Sequence, residues 1–352
     1  MKKVKFLMVF LLLIFVKSIF AQNFCSTISN VPDFLQTIPQ DKLVVTRANN
    51  NYVIRVFLHI IRMSNGTGGQ TLLEANTAFN ILQSDYQPYG ICFELLGIDE
   101  IHDDNTYNRT NFSLVDTNGD GKFDNFSPNS NSNAIDIYLF ANDKLNFGLS
   151  AGIPASALVI GGKAYNTNLV TSHVLSHEVG HCLGLYHTFH GLCNNEGGCA
   201  ELVNGSNCTT CGDFVCDTPP DPQTHQVNQN TCQWNGSTCG ISNGNTYNPN
   251  TNLIMAYIAP NCMLLHTNGQ VARMKAIIAN SSILQNVIIP NNLVLSGTIN
   301  GINYYRAKDN ISSTQIINSG TTTYKVSKVV LSPGFKVELG AKFEIVIDDS
   351  CQ

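Results

Sequence analysis

One short stretch of the chain carries the residue types of a hydrolytic metal site, in the order H-E-V-G-H-C-L-G-L-Y-H from His177 to His187. On a helix, positions i and i+4 share a face, so His177 and His181 can bind one metal ion together. Gly184 can take a positive φ and end the helix, which lets the chain turn and bring back His187 as a third ligand. Three imidazoles with one open coordination position are typical of a catalytic zinc site.

Glu178 follows the first histidine directly, so it flanks the metal and can hold a water molecule instead of binding the ion. Zinc lowers the pKa of its water to about 7, and a neighbouring carboxylate can take the released proton. The alternative for this stretch is a helix that carries histidines on its surface. Cys182 points away from the face of His177 and His181, and we expect it to be buried or disulfide-bonded.

Three later segments extend the motif into a family resemblance. The zinc motif is the metzincin signature, and the chain resembles the pappalysin family of secreted metalloproteases over roughly residues 50–285, through residues 212–219 (GDFVCDTP), 252–257 (NLIMAY) and 269–274 (GQVARM). The resemblance implies a metzincin-type protease domain, with a twisted mixed sheet, an active-site helix and an irregular Cys-rich C-terminal subdomain.

The resemblance also assigns roles to individual residues. It implies zinc binding by His177, His181 and His187, and a general base at Glu178. Met255 would lie under the metal as a structural floor. Tyr257 would act in catalysis, by stabilising the transition state from the metal's side.

Two groups of oxygen-bearing residues are candidate calcium ligands. The resemblance implies calcium binding at Asp213, Asp217 and Thr218, although turn residues and caps would look the same. The second group alternates along an Asp/Asn-rich loop, as calcium ligands do, but its twelfth position is a serine and a plain Asx-rich turn remains open. Its members are Asp116, Asn118, Asp120 and Asp124.

The N-terminal residues predict the compartment. A basic start, an apolar run over residues 6–16 and a small residue at position 21 are typical of a secretory signal peptide. Removing residues 1–21 leaves 16 basic against 25 acidic residues, because four lysines are lost. We therefore expect a secreted, extracellular chain without a membrane span in its mature form. The acidic balance argues against a nucleic-acid partner.

Cysteines are numerous for a chain of this class, and in an oxidising compartment they predict disulfides. Seven of the 12 lie between positions 193 and 239. A second zinc at Cys208 and Cys211 is the alternative there. For Cys25 a structural disulfide is favoured, and the alternative is a pro-segment thiolate that caps the zinc.

The hydrophobic pattern along the chain predicts an α/β (α+β) fold followed by a small all-β module. Strands are predicted over residues 52–61, 91–98, 134–140 and 155–160, and helices over residues 71–86, from Ser172, and over 269–284. The strand over 155–160 is interpreted either as an edge strand, to which a peptide could add, or as a core strand. The predicted domains are a signal peptide (1–21), an extension or pro-segment (22–50), a protease domain (51–288, Cys-rich over 191–250) and the β module (289–352).

These observations predict a secreted zinc endopeptidase that acts on protein or peptide substrates. Two alternatives stay open, a non-catalytic binding or adhesion protein and a zinc amidase that acts on cell-wall peptides. The retained Glu178 favours an enzyme, and the pappalysin-like segments favour protein substrates. Residues 293–352 resemble terminal β segments of secreted bacterial proteins, so a bacterial source is expected.

Overall fold

The computed structural model describes residues 25–27, 33–38, 50–112, 116–191, 198–222, 227–228, 230–234, 236, 246–349 and 351. The predicted signal peptide lies outside these residues, and so do Cys193 and Cys239.

A five-stranded mixed sheet forms the centre of the protein. Its strands are β1 (Tyr52–Arg62), β2 (Ile91–His102), β3 (Ile135–Leu139), β4 (Phe147–Ser150) and β5 (Ala157–Gly161), in the spatial order β2-β1-β3-β5-β4. Neighbouring strands are parallel except β4, which runs antiparallel to β5. Apolar side chains of the sheet pack with those of the helices in one continuous core. The predicted α/β (α+β) class is confirmed.

The edge of this sheet differs from one of the sequence interpretations. β5 lies between β3 and β4 and all five of its residues are buried, so residues 155–160 form a core strand and the edge-strand interpretation is wrong. The edge strand is β4, only four residues long, which the sequence did not indicate. A peptide that adds to this end of the sheet must therefore pair with β4.

The described residues form six helices beside the sheet: α1 (Phe34–Thr37), α2 (Leu72–Tyr86), α3 (Asp104–Tyr107), α4 (Val174–Cys182), α5 (Asn268–Asn280) and α6 (Ser282–Gln285). α2 and α5 each begin at a capping box, formed by Thr71 with Glu74 and by Thr267 with Gln270. The single helix predicted over 269–284 is divided, because Ser281 has extended backbone angles. All nine residues of α4 are buried, which excludes a helix with surface histidines.

Disulfides replace regular structure in the described part of the Cys-rich segment. The regular structure in its described residues is the hairpin of β8 (Val227–Asn228) and β9 (Gln233–Trp234). Another small hairpin, of β6 (Lys163–Ala164) and β7 (Thr167–Asn168), precedes α4. The disulfides are Cys199–Cys211, Cys208–Cys216 and Cys232–Cys262. Since Cys208 and Cys211 both form disulfides, the second zinc site considered there is ruled out. Short 3-10 turns occur at Gln87–Tyr89, between α2 and β2, and at Pro260–Cys262, after the Cys-rich segment.

The C-terminal module is a solenoid of three turns. Each turn adds one strand to each of three parallel sheets, ordered β10-β13-β16, β11-β14-β17 and β12-β15-β18. The strands are β10 (Asn292–Leu295), β11 (Thr298–Ile299), β12 (Ile302–Arg306), β13 (Asn310–Ser313), β14 (Ile316–Ile317), β15 (Thr321–Val326), β16 (Lys328–Leu331), β17 (Lys336–Val337) and β18 (Lys342–Ile347). The all-β module predicted at this end of the chain therefore has a small core of its own.

The solenoid is fixed to strand β2 of the central sheet. A disulfide joins Cys92 in β2 to Cys351. Arg306 forms ion pairs with Glu94 of β2 (2.9 Å) and with Asp348 (2.8 Å). Among the described residues, no helix is long and apolar enough to cross a membrane.

Candidate metal centre

The three histidines of the motif meet at one point in the core. Their Nε2 atoms lie 3.1–3.2 Å from one another, and all three side chains are fully buried. Three nitrogens on a tetrahedral zinc at 2.0–2.1 Å would be separated by about 3.3–3.4 Å. The donor set and its spacing therefore fit zinc closely.

Backbone carbonyls orient two of these rings. His177 donates from Nδ1 to the carbonyl of Ile254 (2.7 Å), and His181 donates from Nδ1 to the carbonyl of Leu185 (2.8 Å). With the proton on Nδ1, Nε2 keeps its lone pair for a metal. Burial, followed by the neighbouring His187, lowers the pKa of both His177 and His181 well below the usual value, which keeps them neutral.

Two glycines of the motif allow close packing. Gly184 has φ +93° just after α4, and a Cβ there would lie 2.6 Å from Ile277 of α5. Gly180 lies against the sulfur of Met255, which would be 2.4 Å from an added Cβ. Met255 is fully buried and thus packs beneath the helix that carries His177 and His181. Tyr257 lies beside the histidines, with its ring 4.7 Å from that of His187.

Glu178 is fully buried on the side of the site that faces strand β4. A Cβ at Gly148 of β4 would lie 2.4–2.7 Å from its side-chain atoms, so a glycine is needed there. Burial raises the pKa of Glu178 to about 8, while Cys25, Thr27 and the backbone of Ser150 act in the opposite direction. A carboxyl with a pKa in this range can both accept and return a proton near neutral pH.

The N-terminal residues Cys25–Thr27 fill the space in front of these groups. Cys25 forms a parallel β-bridge with Gly148 of β4, and Ser26 donates from its backbone N–H to the Gly148 carbonyl (2.9 Å). The Cys25 carbonyl accepts a hydrogen bond from the hydroxyl of Tyr257 (2.7 Å). The hydroxyl of Thr27 donates to Glu178 (2.9 Å) and accepts from the backbone N–H of Ser150 (2.8 Å).

Cys25 adds a fourth potential ligand. Its sulfur and the three histidine nitrogens all lie within 4.8 Å of one another, with 3.5 Å from Sγ to His181 Nε2. Cys25 is free and buried, so the favoured prediction of a structural disulfide is wrong, and the alternative of a thiol at the metal fits the structure. The predicted disulfide fails because the fold places the Cys25 sulfur beside His181 instead of beside another described cysteine. Cys182 is also free and buried, and its sulfur lies 3.2 Å from the Ser150 hydroxyl.

In the first candidate calcium group, Asp213 and Thr218 contact each other, whereas Asp217 has other partners. Asp213 is buried and accepts from the hydroxyl of Thr218 (2.9 Å) through Oδ1, whereas its Oδ2 has no hydrogen-bond partner among the described residues. Glu201, which no motif of the sequence singles out, is also buried, and its Oε1 likewise has no partner among the described residues. Asp217 instead accepts from Thr267 and from the backbone of Gly269, and so holds the start of α5.

Burial shifts the pKa of the Glu201 and Asp213 carboxyls. It raises the pKa of Glu201 to about 7, and it raises that of Asp213, with a further contribution from the charge of Glu201. Each of these two interacting acids thus has a buried oxygen without a hydrogen-bond partner among the described residues, which is unfavourable for a charged carboxylate. In the sequence, Glu201 is marked only as an acidic residue within the Cys-rich segment.

In the second candidate calcium loop, the side-chain oxygens accept hydrogen bonds from other residues of the same loop. Asp116 accepts from the backbone of Gly119, Asp120 and Gly121, and Asp124 accepts from Thr117. Asn118 bonds Asp120 through its side-chain amide (3.2 Å). Among the described residues, the group of metal-ligand side chains that the fold brings together is the one at Cys25 and the three histidines. The loop geometry therefore matches the Asx-rich turn.

Similarity to known proteins places this chain among the metallopeptidases. Residues 155–279 match the family described as Peptidase_M43, Pregnancy-associated plasma protein-A, and this segment of the chain belongs to that pappalysin family. The family resemblance drawn from the motifs is thereby confirmed, and the chain contains a metalloprotease domain, whose substrates are peptides.

Relatives with this domain are found in fungi and mammals. The chain is 26% identical over 247 residues to an extracellular metalloprotease of Podospora anserina, covering 63% of this chain and 72% of that protein. It is 28% identical over 233 residues to one of Colletotrichum graminicola, covering 63% and 74%. Human pappalysin-1 is 33% identical over 103 residues, which is 29% of this chain and 6% of that protein. These relatives do not support the expected bacterial source.

Among solved structures, mirolysin in complex with compound 9 is 17% identical, with a TM-score of 0.41 over 68% of this chain and 96% of that chain.

Proposed function

We propose that the chain is a secreted zinc endopeptidase that hydrolyses peptide bonds of extracellular proteins, and that its N-terminal segment keeps it latent. The observation that carries this proposal is the centre itself, three buried imidazole nitrogens 3.1–3.2 Å apart with a buried glutamate beside them. Extracellular relatives and four described disulfides support secretion.

The residues of this chain divide the chemistry among them. His177, His181 and His187 would hold the zinc ion, which supplies Lewis-acid polarisation of the scissile carbonyl and a water of lowered pKa. Glu178 takes the proton of the attacking water and then passes it to the leaving amine. The Tyr257 hydroxyl donates a hydrogen bond to the oxygen that becomes negatively charged.

The edge strand β4 would position the substrate. It already pairs with a stretch of polypeptide, because Cys25 and Ser26 bond the backbone of Gly148. An extended peptide can add to the same edge once the segment leaves, since backbone hydrogen bonds do not depend on sequence. This occupancy by a peptide favours an endopeptidase over an adhesion protein without catalysis and over a cell-wall amidase.

Cys25 would make the centre inactive while it stays in place. A zinc with three histidines and one thiolate has four protein ligands and is closed, whereas catalysis needs an open position. At the same time, the Thr27 hydroxyl donates a hydrogen bond to the Glu178 carboxylate (2.9 Å), where the attacking water would otherwise bind. The chain therefore requires displacement of residues 25–27 before a substrate can enter.

Removal of zinc tests the assignment of the metal. Treatment with a zinc chelator is expected to abolish hydrolysis of casein by the processed protein, and added zinc is expected to restore it, because the three histidines hold the ion without further protein groups. Metal analysis before and after treatment measures the loss of zinc directly. A calcium-selective chelator serves as the control. Hydrolysis that persists in protein shown to be free of transition metal would contradict the proposal.

A calcium ion at Asp213, Thr218 and Glu201 is proposed as a structural cofactor. Calcium is expected to raise the melting temperature by a few degrees, since ligand binding stabilises the folded state and about 1 kcal/mol shifts a domain of this size by roughly 2–4 °C. Asp213→Asn and Glu201→Gln are expected to remove this increase. Asp120→Asn, in the other candidate loop, is the matched control. An increase that is lost only with Asp120→Asn would contradict the assignment.

The calcium effect also depends on pH. Without calcium, the raised pKa of Glu201, about 7, makes the folded state bind its proton more tightly than the unfolded state does. Stability of the calcium-free protein therefore decreases as the pH rises from the ordinary glutamate pKa towards about 7. Calcium must displace that proton, so the stabilisation that calcium provides is expected to increase over the same pH range.

A further inference from the structure

A second contact, away from the metal centre, fixes the N-terminal segment. Asp33 lies eight positions after Cys25, immediately before α1, and its Oδ1 accepts from the backbone N–H of Leu35. Its carboxylate pairs with the guanidinium of Arg273 in α5. The two side chains are only 4% and 6% exposed, so this ion pair is shielded from water.

The protease domain holds Arg273 ready for a carboxylate without help from the N-terminal segment. Arg273 donates from Nε to the carbonyl of Gly184 (2.9 Å), in the turn between the second and third histidines. Its guanidinium lies over the rings of Tyr186 (5.3 Å) and Phe214 (5.5 Å). With Nε bonded to the backbone and two aromatic rings beside the guanidinium, its two terminal nitrogens are directed at the Asp33 carboxylate.

Asp33 and Arg273 differ in how well each charge would be solvated if the ion pair broke. Asp33 caps a four-residue helix that has no buried residues, so its carboxylate would be hydrated if the segment left. Arg273 lies in the middle of α5 and would keep a buried charge without a carboxylate partner, which is unfavourable. The ion pair therefore opposes departure of the segment from the protein.

We propose that Arg273 forms a carboxylate-binding site, separate from the metal site, whose ligand in this chain is Asp33, and that this contact keeps Cys25 and Thr27 in the active-site cleft. The proposal rests on the latent metallopeptidase proposed above. It assigns to Asp33 a positioning role, because Asp33 touches neither the histidines nor Glu178 and acts through the segment that it holds.

Alkylation of Cys25 in the full secreted chain tests the contact. Asp33→Asn keeps the side-chain size and an oxygen to cap α1, but it removes the charge. Because a buried thiol reacts only when its segment opens, iodoacetamide is expected to label Cys25 at least about tenfold faster in this variant. Mass spectrometry of the labelled peptides measures the rate. Cys182, the other free cysteine of the described chain, provides an internal reference whose rate stays unchanged.

The control variant is Asp309→Asn, which removes a 44% exposed aspartate of the solenoid and is expected to leave both rates unchanged. Equal labelling of Cys25 in Asp33→Asn and the unmodified chain would overturn the proposal. Faster labelling of both cysteines would also overturn it, because the ion pair would then only contribute to general stability. Alkylation needs no turnover, so an inactive protease domain would contradict the proposed function and leave this result interpretable.

Discussion

Glu178→Gln is expected to lower kcat/KM for a protein substrate by about 10²–10⁴-fold, the usual contribution of a general base. Glutamine has nearly the same shape but cannot take a proton from water. The three histidines are untouched, so the zinc content is expected to stay the same as in the unmodified protein. Casein hydrolysis and metal analysis on the same samples separate the two effects.

The matched control is Glu100→Gln, which changes a 37% exposed glutamate on β2. It is expected to keep full activity. Both substitutions are best measured in a Cys25→Ala background, so that the N-terminal segment does not mask the activity. Unchanged hydrolysis by Glu178→Gln would exclude Glu178 as the general base. It would not exclude zinc binding by the three histidines.

Cys25→Ala is expected to increase the peptidase activity of the unprocessed chain. Alanine cannot complete the coordination of the metal, and the segment then depends on Thr27 and on its backbone contacts. If at most a tenth of the unmodified chain is open at any time, the gain reaches about tenfold or more. The rate of casein hydrolysis before any N-terminal processing, checked by intact mass, is the measurement.

Cys182→Ala controls for the loss of a buried thiol. Its sulfur lies next to Ser150 and the Ala157 carbonyl instead of the histidines, so its removal is expected to leave the chain latent. Equal, low activity of the Cys25→Ala chain and the unmodified chain, with full zinc occupancy and activity after processing, would contradict latency through Cys25.

The metal centre was the most predictable part of the protein. The spacing of His177, His181 and His187 determines their geometry almost completely, because the helical repeat and one glycine turn place them. Gly184 has the positive φ that its position predicted. The all-β character of the C-terminal module was also predictable, because short β-branched runs alternate there with turns, whereas its solenoid arrangement is seen only in the structure.

Features that depend on residues far apart in the chain could not be predicted from the sequence. β4 is four residues long and is defined by its pairing with β5 and with Cys25, not by its own composition. Cys25 pairs with a residue 156 positions away, and the oxidising compartment favoured a disulfide. Asp217 caps α5 through residues about 50 positions later, which no local pattern indicates.

The disulfide between Cys92 and Cys351 turns most of the protein into a covalently closed ring. It spans 259 positions, and it encloses the zinc helix, the Cys-rich segment and the whole solenoid. The N-terminal segment lies outside this ring. A cut that frees residues 25–38 therefore leaves the ring closed, and a single cut in any loop inside the ring opens it without releasing a fragment. The disulfide therefore separates cleavage on the N-terminal side of Cys92, which leaves the ring intact, from cleavage within residues 92–351, which opens it.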